Sequence, residues 1–350
     1  MKKIDLACLA AAVFLACTGS ASAERFDCGS DRGASPYVLA PTGVHDHRRF
    51  APAGATGPTR DFAAFAAAFD DDDDDNQDGR PDLTGNPTWV AYHLLGVAPT
   101  ADGAYEEPNV SIDRPDRWYR SDDLSNHWIA RPWITASRID DSYRGVGRVW
   151  NRGHFAMADH AQRIGPEASC NTHVFWNASP QAADFNQGPW LHLETYTAAL
   201  SNMVGEIWII TGPIFDDAPL RNIAEPHEVP VAVPHAFFKI IVREIDGAID
   251  VRALIFEHPS VGPHGHVQPD PAEAAGWINC RSAGRAGHTY TPADNLVALR
   301  DVEARTGLRF LPDHPLRADL VDRQPDSLWH VPEPYWSGYL CGGQATVGAD

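Results

Sequence analysis

His154 stands in the segment Val149-Trp150-Asn151-Arg152-Gly153-His154-Phe155, behind an Arg-Gly pair and a run of apolar and β-branched residues. An imidazole with an ordinary pKa of about 6.5 can take up a proton at neutral pH. The segment alone allows a catalytic base beside a metal and a phosphate, or a polar residue closing a strand. Farther along, in "DFNQGPWLHLE", Asn186 begins a predicted helix and Glu194 follows eight residues later. On a continuous helix that separation is about 80° around the axis and roughly 12 Å along it. The two side chains can border one site without gripping one ion together. A neutral amide oxygen with a more distant carboxylate suits a hard cation that keeps most of its waters, the habit of Mg²⁺, and does not make a zinc cage.

Two further groups could do chemistry. Asp74, Asn76, Asp78 and Asp82 fall at positions 1, 3, 5 and 9 of a calcium loop, with Gly79 at the bend, although position 12 carries Gly85 where a calcium loop has Glu. The alternative is a solvated acidic turn, with no Ca²⁺. From Ser111 to Arg152 the chain carries Arg114, Arg117, Arg120, Arg131, Arg138, Arg144, Arg148 and Arg152 against six aspartates. The planar guanidinium fork suits phosphate oxygens, so two or three of these arginines are expected on phosphate and the rest in surface ion pairs.

These groups need a scaffold. The runs "TWVAYHLLG", "EIWIITGPIF", "FFKIIVREI" and "DVRALIFEH" are predicted strands, and "DFAAFAAAF", "WLHLETYTAALSNM" and "NLVALRDVEARTG" predicted helices. They interleave without regular βαβ units or a Gly-rich phosphate loop, which predicts an α+β domain with a mixed β-sheet core. Residues 1–23 have a basic start at Lys2 and Lys3, an apolar run through Leu15 and a small-residue end at Ala23, the pattern of a signal peptide. A lipoprotein cleaved at Cys17 is the rival, with Phe14 where Leu is wanted. The expectation is a secreted protein, periplasmic or extracellular. Residues 24–85 are then an N-terminal extension holding the acidic loop, and residues 86–350 the main domain. Past residue 23 the cysteines are Cys28, Cys170, Cys280 and Cys341, an even set without metal-site spacing, and three complete disulfide pairings are open. The formal net charge of −19 does not draw in a polyanion, so chemistry on nucleic acid requires a local basic site.

Three ordered blocks carry a resemblance: Arg152-Gly153-His154, then Asn177 to Gln181 as N-x-x-P-Q, then Asn186 to Glu194 as N-x-G-x-W-x-x-L-E. In this order the chain resembles the DNA/RNA non-specific endonucleases, ββα-metal (His-Me finger) enzymes, over roughly residues 86 to 315. The resemblance implies a ββα-metal finger and a Mg²⁺-dependent endonuclease acting on DNA and RNA through the phosphate backbone, with Mn²⁺ as an alternative ion. It implies His154 as the general base on water, Asn186 as the direct Mg²⁺ ligand, and Glu194 holding a metal-bound water. It further implies Arg152 near phosphate, Asn177 as a brace, and an upstream arginine on phosphate, for which Arg117 is taken. The products implied are 5′-phosphate and 3′-hydroxyl ends. One departure stands out, because the family usually has Asp directly before the RGH and this chain has Asn151, which removes a negative charge near His154. The alternatives are a narrower DNase or phosphodiesterase, and a calcium- or nucleic-acid-binding protein of the same fold with weakened catalysis.

Overall fold

The computed structural model describes residues 25–28, 43–55, 57–70, 84–108, 110–115, 118–119, 124, 139–147, 149–216, 220–258 and 292–336. Residues 1–23, the loop of Asp74, Asn76, Asp78 and Asp82, Arg117, Cys280 and Cys341 lie outside the described residues.

Among the described residues the strands are, in chain order, β1 (Phe26–Asp27), β2 (Thr59–Asp61), β3 (Ala66–Phe69), β4 (Pro87–Leu95), β5 (Ile112–Asp113), β6 (Trp150–His154), β7 (Ala178–Ala182), β8 (Glu206–Ile214), β9 (Arg221–Asn222), β10 (Ala232–Val233), β11 (Ala236–Ile245), β12 (Ala248–Glu257) and β13 (Leu296–Val297). Seven of them make one sheet in the order β13-β12-β11-β8-β4-β3-β2, each neighbouring pair antiparallel. β11 turns into β12 through Asp246 and Gly247, both at positive φ (52° and 79°), the left-handed pair that a tight hairpin needs.

The sheet is covered on both faces, which explains why β8 and β11 are nearly continuous apolar runs. On one face Tyr92, Ile209 and Phe237 meet Leu193, Tyr196 and Leu200 of the Leu191–Val204 helix. On the other, Trp89, Ile210 and Phe238 meet Leu299 and Val302 of the Leu299–Thr306 helix, together with Phe310. Each such aromatic or aliphatic side chain taken fully from water contributes roughly 1.5–3 kcal/mol. The result is the expected α+β architecture.

One predicted element is corrected. "DFAAFAAAF" is not a helix: it closes β2, turns through Phe62 and Phe65, whose rings stack at 4.4 Å, and becomes β3. Alanine favours helix by a few tenths of a kcal/mol per residue, less than burial of both faces of this segment returns. Ala66 and Ala68 pack on one side of the sheet and Ala67 and Phe69 on the other. These strands lie upstream of residue 86, so the sheet reaches into the segment expected to be an extension. In "NLVALRDVEARTG" the helix starts only at Leu299, because Leu296 and Val297 pair with β12 as β13.

Of the three open pairings, the structure joins Cys28 to Cys170, with Cα atoms 5.4 Å apart. The bond ties β1, which pairs with β5, to the short Pro166–Asn171 helix. It closes a loop of 142 residues, and restricting so long a loop in the unfolded chain stabilises by roughly 3–5 kcal/mol. Cys28→Ser is expected to lower Tm by about 10 °C. A thermal melt of the variant that overlays the parent would show the bond to be energetically idle.

Candidate active site

β6 and β7 form a two-stranded antiparallel ribbon that places Asn151 opposite Gln181, Gly153 opposite Ser179 and His154 opposite Ala178. Gly153 is required because a Cβ there would come within 2.0 Å of the Gln181 side chain, which lies across the strand. Two of the sequence blocks are thus fitted to each other atom against atom. Asn177 is fully buried and joins them: its Oδ1 accepts the Ala156 N–H at 2.7 Å, and its Nδ2 donates to the carbonyls of Ala156 and Thr172 at 2.9 and 3.1 Å. It braces the chain just past His154, with both amide protons and its oxygen engaged by the backbone.

After β7 the chain does not enter one continuous helix. Asn186–Trp190 is a wide turn, broken at Gly188 (φ −115°, ψ −108°) and carrying Pro189, and the regular helix begins at Leu191. The angle and rise expected between Asn186 and Glu194 therefore do not apply. Ribbon, turn and helix together are the β-β-α finger that the sequence blocks imply.

An open cleft of about 340 Å³ brings together His154, Arg152 and Asn186, with Arg114, Asn151 and His173. Glu194 does not line it. That carboxylate is buried, its Oε1 has no hydrogen-bond partner among the described residues, and burial pushes its pKa up to about 7, with fully buried Lys239 opposing the rise. Arg117 lies outside the described residues, and Arg114 is the upstream arginine seen in the cleft. Arg152 is present but engaged, its Nη2 donating to Asp140 at 2.7 Å with the guanidinium 5.6 Å above the Tyr143 ring.

His154 is partly buried, and its Nε2 is enclosed with no hydrogen-bond partner among the described residues. Burial foremost, then His173 and Arg114, hold its pKa well below the usual histidine range, so the ring is neutral at neutral pH and has a lone pair to offer. Trp190 donates its indole N–H to the His154 carbonyl at 3.2 Å, and Trp118 packs 4.6 Å from the ring.

Asn151 sets Asn186. Its Nδ2 donates to the Gly147 carbonyl at 3.3 Å, and because a carbonyl can only accept, the amide orientation is fixed. Its Oδ1 then receives the Nδ2 groups of Asn186 and Gln187 at 3.1 and 3.2 Å. Among the described residues nothing hydrogen-bonds the Asn186 carbonyl oxygen, which can bind something else. The Asn found where the family has Asp therefore keeps the orienting acceptor and loses only the charge. A lone amide oxygen fits a hard cation that retains its waters, and among the described residues no cluster of three His, Cys, Asp or Glu side chains could hold a metal ion.

Trp118 and His173 were invisible in the sequence because they belong to no spaced motif. Tyr119 positions both: its N–H donates to the His173 carbonyl at 2.9 Å and its hydroxyl to the Cys28 carbonyl.

The chain belongs to the DNA/RNA non-specific endonuclease family, whose model matches residues 77–315. It is 31% identical to human mitochondrial endonuclease G over 183 residues, 49% of this chain and 54% of that protein. It is 30% identical to human mitochondrial nuclease EXOG over 184 residues, 51% of this chain and 44% of that protein. With Nuclease C1 of Cunninghamella echinulata var. echinulata it shares 29% identity over 235 residues, 64% of this chain and 75% of that protein. The chain spans about half the length of the two human relatives. They correct one expectation: relatives named as mitochondrial nucleases point away from the secreted localisation inferred from the N-terminal residues.

Proposed function

We propose that this chain is a divalent-cation-dependent endonuclease that hydrolyses phosphodiester bonds of DNA and RNA, leaving 5′-phosphate and 3′-hydroxyl ends. The observation that carries the reading is the meeting of a neutral His154 and a pre-oriented Asn186 oxygen in one arginine-lined cleft. His154 takes the proton of the attacking water, and Asn177 and Trp190 hold the strand that presents it. Asn186 would hold the cation, Mg²⁺ by the fit of a single amide oxygen, with Mn²⁺ as the alternative. When bound, such an ion supplies charge neutralisation at the phosphate oxygens and stabilises the leaving 3′ oxygen. Arg114 approaches phosphate from the cleft wall, and Arg152 can add a contact through the part of its fork not paired with Asp140. Contacts to phosphate and sugar, not base edges, account for acceptance of both nucleic acids.

The test is incubation of the purified chain with supercoiled plasmid and with ribosomal RNA, in Mg²⁺, in Mn²⁺ and in chelator. Both substrates should be cut with either ion and neither in chelator. KM should rise as salt rises, since the contacts are local cations on a protein of net charge −19. Intact plasmid and RNA in both ions would sink the reading.

A further inference from the structure

Lys239 is the only lysine beyond residue 3, and it stands where an apolar side chain would serve the fold better. It lies in β11, paired with Thr211 of β8 and Leu254 of β12. By the alternation of the strand it points with Phe237 and Ile241 to the face covered by the Leu191–Val204 helix. It is fully buried, and among the described residues its ammonium has no hydrogen-bond partner. Burial lowers its pKa to about 8, with Glu194 opposing the fall, so the group is charged at neutral pH. The charge meets the Trp190 ring, with Nζ 4.1 Å from the ring centroid. A compact ammonium suits that contact with an aromatic face. Trp190 is fully buried, closes the Asn186–Trp190 turn, and donates its indole N–H to the His154 carbonyl at 3.2 Å.

We propose that Lys239 is a positioning residue for cleavage, whose ammonium presses on the Trp190 ring and so fixes the His154 strand end and the Asn186 turn in register across the cleft. The proposal rests on the nuclease reading and deepens it. A cation over an indole face draws electron density from the ring and makes its N–H a stronger donor, which tightens the grip on the His154 carbonyl. Trp190 is the last residue of the turn that begins with Asn186, so one ring holds both arms of the cleft against an interior strand of the sheet. The cost is the desolvation of an ammonium, which a methionine of similar length avoids. Replacing buried charges by apolar groups is often neutral or stabilising, so stability does not account for the lysine. Register does, because a misplacement of about 1 Å costs on the order of 10²-fold in rate.

The experiment compares the parent with Lys239→Met, Lys239→Gln, Trp190→Phe and the double variant Lys239→Met with Trp190→Phe, folding being checked by circular dichroism. kcat and KM are measured on one duplex oligonucleotide in Mg²⁺, Kd for the same duplex in chelator, and the Trp190 indole N–H resonance by NMR. Lys239→Met should lose about 10- to 100-fold in kcat, with KM and Kd within about twofold, and its indole resonance should move upfield as the hydrogen bond to His154 weakens. Trp190→Phe keeps a ring under the ammonium but cannot donate, and should lose kcat in the same way. The double variant should lose little more than the worse single one, because both changes break one contact. A folded Lys239→Met protein with parental kcat, or with an unmoved indole resonance, overturns the proposal. Losses that multiply in the double variant overturn it as well, since Lys239 would then act through Glu194. Failure of both neutral variants to fold also sinks it, by making the charge a requirement of the fold and not of the site. A parent that cuts nothing in Mg²⁺ or Mn²⁺ refutes the nuclease reading, while the indole resonance still judges the contact from Lys239 through Trp190 to His154.

Discussion

His154→Ala is expected to lower the rate of phosphodiester cleavage by about 10²–10⁴-fold, the usual cost of losing a general base, with the fold intact. The residue sits at the end of β6 with its ring in the cleft, and the contacts that hold the ribbon there come from Asn177, Gln181 and Trp190, which the substitution leaves in place. Added imidazole should restore part of the rate and extra Mg²⁺ should not. Asn186→Ala should show the reverse dependence. Because water activation and cation binding serve one transition state, the double variant should be far less damaged than the product of the two single losses. In the parent, the acid limb of kcat should lie below about pH 6.5, since burial, with His173 and Arg114, disfavours protonation of His154. A folded His154→Ala protein that keeps near-parental kcat would reduce His154 to a strand-end residue.

Stability should collapse on mild acidification. His47 donates from Nε2 to the Ala63 carbonyl at 3.0 Å and accepts the His93 backbone N–H on Nδ1, also at 3.0 Å. His258 donates from Nδ1 to the Pro234 carbonyl and accepts the Ala182 N–H on Nε2, both at 2.9 Å. Each imidazole works only when neutral, because a second ring proton would face a backbone N–H. Burial accordingly pushes His47 down to about 4 and His258 to about 3. With folded pKa values below the unfolded one, the unfolded chain binds more protons as pH falls. The contribution is complete above pH 6.5 and is lost progressively toward pH 4 for His47 and pH 3 for His258. At the end of its window His47 is worth on the order of 3 kcal/mol and His258 on the order of 5 kcal/mol. Thermal melts stepped from pH 7.5 to 4 should show a steep fall beginning near pH 6.5, and a Tm constant over that range would contradict the tautomers inferred from these bonds.

Much of the finger was legible because its residue types are dictated by contacts. Gly153 must be glycine where Gln181 crosses it, and Asn177 must both donate and accept to close the turn beyond His154, so their order and spacing survive as a pattern. β4, β8 and β11 were legible because burial on both faces leaves long apolar runs. What failed did so for physical reasons. The alanines of β3 have helix propensity that sheet burial outweighs, and the arithmetic from Asn186 to Glu194 assumed a helix that Gly188 and Pro189 interrupt. His173 and Trp118 enter the cleft from separate segments, brought there by tertiary contacts through Tyr119, and no local spacing records that.

The sheet also ends in a protective way. A strand at the border of a sheet offers unpaired N–H and C=O groups as a template for another chain, and long flat borders invite aggregation. Among the described residues the outermost strands are β2, of three residues, and β13, of two. β2 carries Asp61, which pairs with Arg48 at 2.5 Å, and β13 runs directly into the turn before the Leu299–Thr306 helix. The most hydrophobic strands, β8 and β11, are held at the centre. Along these described borders another chain finds only a few backbone groups to extend.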